Sequence, residues 1–103
     1  MSIQATLKKL KRQKGIPAAY GRFKTAQKPP YLVYLGNGQT NVEGDDTYVH
    51  SVQDYQIEYY YREKDEEMEK AVEQILLEDG YLYEKSPDAY IEEEDLWVIY
   101  YTV

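Results

Sequence analysis

Tyr48-Val49-His50-Ser51-Val52-Gln53-Asp54-Tyr55-Gln56-Ile57-Glu58-Tyr59-Tyr60-Tyr61 alternates along its length. The odd positions hold Val49, Ser51, Gln53, Tyr55, Ile57, Tyr59 and Tyr61, and the even ones include His50, Asp54, Gln56 and Glu58. A period of two places Tyr55, Ile57 and Tyr59 on the core side of one β-strand. A helix is predicted soon after it. Asp65 is placed to cap it, Glu66 and Glu67 favour the positive end of its dipole, and Gly80 ends it. Within that span Met68, Ala71, Val72, Ile75 and Leu76 recur at i, i+3, i+4, i+7 and i+8, the strongest amphipathic pattern in the chain. A half-buried strand leading into an amphipathic helix makes the fold a mixed one.

Upstream, Pro29 and Pro30 introduce a β-favouring run, Tyr31, Leu32, Val33, Tyr34 and Leu35, ended by Gly36, Asn37 and Gly38. Residues 36–47 hold three glycines, two asparagines and the acids Glu43, Asp45 and Asp46, which predicts a polar loop, mobile in the isolated protein. Earlier still, residues 18–23 are predicted to form a short strand anchored by Tyr20 and Phe23. Before it, Ser2 caps a helix with Ile3, Leu7 and Leu10 on a narrow apolar stripe, and Gly15 and Pro17 stop that helix. Downstream, strands are expected over residues 81–84 and 96–103, with Trp97, Ile99, Tyr101 and Val103 on one face. Ser86, Pro87 and Asp88 turn the chain between them, and residues 89–95 extend one strand or the other. The order helix, strands, helix, strands predicts an α+β fold: a largely antiparallel sheet of four to five strands with two helices packed on it.

The 103 residues suit a single domain spanning 1–103. Charge is divided along the chain. Residues 1–28 carry eight Lys or Arg and no acid, whereas residues 29–103 carry four basic residues against nineteen acids. If the fold keeps the two populations apart, opposite surfaces result, able to attract one another between copies or to meet a charged neighbour. Thirteen tyrosines accompany one Phe and one Trp, a composition that suits either a sheet with one wet face or a surface buried in an interface. Absence of cysteine excludes disulfides and thiolate metal sites, and no run has the length of a membrane span or the apolar core of a secretion signal. These features predict a protein made and kept in a cytoplasm, with no membrane partner and no cofactor.

Catalytic chemistry finds little to work with. His50 is the one histidine, and its strand neighbour Ser51 points to the opposite face, so the two form no catalytic pair. Glu92, Glu93, Glu94 and Asp95 lack the glycine and spacing of a calcium loop and read as a solvated turn. Gly36, Asn37, Gly38 and Gly44 precede neither Lys-Ser nor a helix, so they are not a phosphate cradle. The cluster from Lys8 to Lys14, with Tyr20 and Phe23 to stack on bases, is a candidate nucleic-acid contact, opposed by a net charge of -7. No enzyme is expected.

Two strings, Gly15-Ile16-Pro17-Ala18-Ala19-Tyr20-Gly21-Arg22-Phe23 and Pro29-Pro30-Tyr31-Leu32-Val33-Tyr34-Leu35, resemble small prophage proteins encoded among head-tail joining genes of long-tailed phages. Tyr55-Gln56-Ile57-Glu58-Tyr59-Tyr60, Lys64-Asp65 and Trp97-Val98-Ile99-Tyr100-Tyr101 extend the likeness over most of the chain. The chain is similar to the tail terminator, or tail-completion, family typified by the lambda U protein. The resemblance implies a structural subunit that forms a ring, commonly a hexamer, caps the tail tube and joins it to the head connector or stopper, with DNA only as passing cargo. It implies a place in the virion neck or tail, after assembly in the host cytoplasm. Candidate interface residues are Lys8, Lys9, Lys11, Arg12 and Arg22 on the cationic side and Asn37, Gln39, Asn41, Glu43, Asp45 and Asp46 in the polar segment, which is expected to order on contact. A head-completion (stopper) protein and a small nucleic-acid-binding regulator are the alternatives.

Overall fold

The computed structural model describes residues 2–43 and 49–103, with side chains described for 2–38 and 54–103. It is an α+β fold in the expected order: α1 (Ile3–Lys14), β1 (Ala18–Tyr20), β2 (Tyr31–Glu43), β3 (Val49–Tyr61), α2 (Glu66–Glu78), β4 (Glu84–Lys85), β5 (Ala89–Ile91) and β6 (Leu96–Thr102). The strands form one sheet in the order β1-β2-β3-β6-β4, with β5 also paired to β6. Among the described residues only β1 and β2 run parallel, and the other pairings are antiparallel.

Local signals set both helices. Ser2 Oγ accepts from Ala5 N at the start of α1, and Gly15, at φ +72°, closes it by donating its N–H to Lys11 O. Asp65 accepts from Met68 N at the start of α2, as its position predicted. Gly80, at φ +87°, ends α2 with a paired motif in which Tyr81 N donates to Leu76 O and Gly80 N to Leu77 O. Both helices lie on one face of the sheet. Ile3, Leu7 and Leu10 of α1 and Val72, Ile75 and Leu76 of α2 pack against Leu32, Tyr34, Ile57, Tyr59, Ile99 and Tyr101. Cross-strand pairing puts Tyr31, Val33, Glu58, Tyr60 and Val98 on the opposite face. That face is not simply wet. Val33, Leu96 and Val98 are buried, and the segment after β1 brings Phe23 edge-on to Tyr31, which stacks on Tyr60 at 5.1 Å.

Three expectations change. β2 does not stop at Gly36; it continues to Glu43, so residues 36–43 are strand and not loop. Gly36 pairs with Tyr55 and Gln39 with Gln53, so Asn37 and Gly38 together stand opposite Asp54. The glycines serve a β-bulge, in which Gly38 at φ +81° takes the left-handed conformation that the extra residue requires. The strand expected at residues 81–84 begins only at Glu84, because the helix-ending motif occupies Gly80 and Tyr81. Pro87, which has no N–H for the ladder, divides the edge into β4 and β5 and raises the strand number among the described residues to six. In that break Ser86 N donates to Tyr100 O while Tyr100 N donates to Ser86 Oγ. Finally, β1 ends at Tyr20, not Phe23. Gly21, at φ +76°, lets Arg22 N donate back to Tyr20 O in a three-residue turn.

β2 and β3 outrun the rest of the sheet. β1 pairs with β2 only at Leu32 to Tyr34, and β6 pairs with β3 only at Gln56 to Tyr61, extended by reciprocal bonds between Tyr55 and Val103. Beyond the bulge, residues 39–43 pair with 49–53 and, among the described residues, with nothing else. The result is a two-stranded arm whose paired length is about 17 Å at the usual rise per residue.

Candidate interaction surfaces

The expected interface residues fall in three separate places. Lys8, Lys11 and Arg12, at i, i+3 and i+4, share one exposed face of α1 and make no ion pair among the described residues. Lys8 and Lys11 border a shallow cleft of about 160 Å³ with Leu7, Ala18 and Tyr34, beside β1. Lys9 turns the other way. Its Nζ lies 2.7 Å from Asp79 Oδ1 and 3.9 Å from Glu78 Oε2, so it fastens α1 to the end of α2 and is not a free cation. Thr6, fully buried, donates its hydroxyl to Asp79 Oδ2 at 2.7 Å. Hydrogen bonds from Lys9 and Thr6 hold the Asp79 carboxyl below its ordinary range.

Arg22 is exposed on the second face of the sheet, in a cleft of about 370 Å³ with Phe23, Lys24, Tyr31, Tyr60 and Glu94. Here a cationic segment confronts an acid of the same copy. The charge separation of the sequence therefore survives only in part: α1 is cationic and α2 anionic, but Lys9 bridges their seam and Glu94 lines the cleft with Arg22. Asn37 lies exposed in the bulge, and the backbones of Gln39, Asn41 and Glu43 belong to the arm. Asp45 and Asp46 lie outside the described residues.

A second charged group went unnoticed in the sequence because its members are far apart in the chain. Glu69 is only 2% exposed, yet it lies 2.8 Å from Lys64 Nζ and 3.2 Å from Lys85 Nζ. Lys64 also pairs with Asp88, and Lys85 with Glu73, each at 2.8 Å. Burial opposes the charge on Lys64, but its bonds to Asp88 and Glu69 outweigh that and raise its pKa. Tyrosine hydroxyls complete the group: Tyr101 donates to Glu73 at 2.7 Å and Tyr61 donates to Asp88. Burial, then the bond to Asp88, pushes the Tyr61 phenol up to about 12. These ion pairs join α2 to the β4–β5 edge, although the buried Glu69 Oε2, 2.8 Å from Lys64 Nζ, accepts no hydrogen bond among the described residues.

Exposed apolar side chains were the other omission. Leu82 is 84% exposed where the chain leaves the helix-ending motif, between the half-buried Tyr81 and Tyr83. Tyr90 and Trp97 are also open to solvent, although alternation rightly set Trp97 on the same face as Ile99 and Tyr101. Glu92, Glu93, Glu94 and Asp95 form the exposed turn between β5 and β6, where Asp95 adopts φ +53°. Among the described residues there is no cluster of three metal-ligating side chains and no helix long and apolar enough to cross a membrane.

No protein-family model matches the chain, and a search of curated proteins gives no match.

Proposed function

We propose that the protein is a structural subunit of phage morphogenesis, a tail terminator that assembles on the tail tube and joins it to the head connector. The resemblance of the residue strings quoted above to that family suggests the role. The observation that carries it is the β2–β3 arm, which extends past every other strand. A two-stranded ribbon with no third strand is marginal in water, and its free edges suit pairing or packing against another subunit. The Lys64–Glu69–Lys85 group, whose ion pairs join α2 to the edge of the sheet, favours a building block over a catalyst.

Electron microscopy of particles from a nonsense mutant tests the role. Terminator loss is expected to give overlong tails. Normal-length tails beside heads that leak DNA would instead identify a stopper protein and refute the terminator assignment. The regulator alternative has less support, because Lys9 is consumed by Asp79 and Arg22 shares its cleft with Glu94.

A further inference from the structure

Tyr90 of β5 and Trp97 of β6 are cross-strand partners whose ring centroids lie 5.0 Å apart. They are 48% and 38% exposed. Trp97 continues inward to Tyr61 at 6.5 Å, and Tyr61 to Tyr59 at 5.7 Å, so the exposed pair is the outer end of a row rooted in the core. Aromatic side chains held this way offer contact area with little rotamer freedom left to lose, a property of residues that dominate binding energy. Their charged surroundings are acidic. Glu92, Glu93 and Glu94 are exposed in the turn that follows β5 and outnumber Arg62, whose Nε donates to Asp95 O at 3.4 Å, while Lys64 and Lys85 are already paired with Glu69, Glu73 and Asp88.

An exposed aromatic pair beside free carboxylates suits a partner that presents several cations, which lie over the rings and pair with the acids. The chain itself carries such a surface. Lys8, Lys11 and Arg12 stand on one face of α1, next to β1, the strand at the opposite end of the sheet order from β4 and β5.

We propose that the Lys8–Lys11–Arg12 face of one copy docks on the Tyr90–Trp97 edge of the next. The two patches are unlike and lie toward opposite ends of one sheet, so the contact joins copies head to tail and closes into a ring or continues as a filament. This rests on the assembly reading above and deepens it by naming the partner as a second copy and by naming both halves of the contact.

Two variants separate the halves: Tyr90→Ala with Trp97→Ala, and Lys8→Gln with Lys11→Gln and Arg12→Gln. Sedimentation velocity in low salt is expected to show the wild type larger than a monomer and dissociating as salt rises. Each variant is expected to be monomeric with an unchanged far-ultraviolet circular dichroism spectrum. Because each keeps one intact patch, an equimolar mixture is expected to form a heterodimer and nothing larger. Trp97→Phe, which keeps a ring at the edge, is expected to keep association. A monomeric wild type, wild-type mass in either variant, or a mixture without heterodimer would each overturn the proposal. If these variants assemble like the wild type while the nonsense mutant has overlong tails, the contact assignment fails and the terminator role stands. If the variants behave as expected while tails are normal in the mutant, the contact stands and the role fails.

Discussion

Among the thirteen tyrosines, which outnumber phenylalanine thirteen to one, several end their rings on a carboxylate. Tyr101 is fully buried as a ring, yet its hydroxyl donates to Glu73, and Tyr60, Tyr61 and Tyr90 donate in the same way to Glu58, Asp88 and Asp95. Burial, then the bond to Glu73, raises the Tyr101 pKa. Burial works to raise the Glu73 pKa as well, but hydrogen bonds from Lys85 and Tyr101 prevail and keep it low. Tyr101→Phe leaves the ring in place and removes one donor to a charged acceptor. It is expected to cost about 1.5–3 kcal/mol in urea denaturation at neutral pH. Since the folded Glu73 pKa is depressed, that contribution is present above the ordinary carboxylate range and is lost as pH falls through the folded value. The deficit of Tyr101→Phe should therefore shrink in acid. At the other extreme the raised tyrosine values stabilise the fold fully below pH about 10, and stability is lost as pH rises beyond that.

The seam between α1 and α2 depends on Asp79, which faces Lys9 and Thr6 at the end of its helix. Its pKa is lowered by those two bonds, so its contribution is intact above the ordinary aspartate range and disappears as pH falls through the folded value. Asp79→Asn should melt below the wild type near neutrality and converge with it in acid, as measured by thermal unfolding across that range. Helix boundaries and both N-caps were legible in the sequence, because Ser2, Asp65, Gly15 and Gly80 act within a few residues of themselves. The extent of β2 was not legible. Gly36, Asn37 and Gly38 are equally suited to end a strand and to bulge one, and only the register against β3 distinguishes the two. Pro87 was read as a turn for the same reason: its effect on the edge depends on Tyr100, thirteen residues later, lying opposite. Among the expected site residues, the exposed face of α1 followed from helical spacing. That Lys9 belongs to the seam required knowing where Asp79 lies.

At the scale of the molecule, the sheet body is self-sufficient and the arm is not. Among the residues whose side chains are described, the core cluster draws on α1, α2 and the inner parts of β2, β3 and β6. Replacing residues 39–53 with an Asn-Gly turn, a pair suited to a two-residue hairpin, should therefore leave the melting temperature within a few degrees of wild type. The charge divided along the sequence was a partial guide here. It located the α1 face, but it could not reveal that Glu94 would line one cleft with Arg22 or that Trp97 would be open to solvent. Molar mass from light scattering, on the full chain and the armless variant in low salt with tail-tube protein added, tests the assembly account most directly. The full chain is expected to bind the tube protein in a complex that the folded armless variant does not form. A full chain that does not bind the tube protein at high concentration, or an armless variant that binds it equally well, would contradict it.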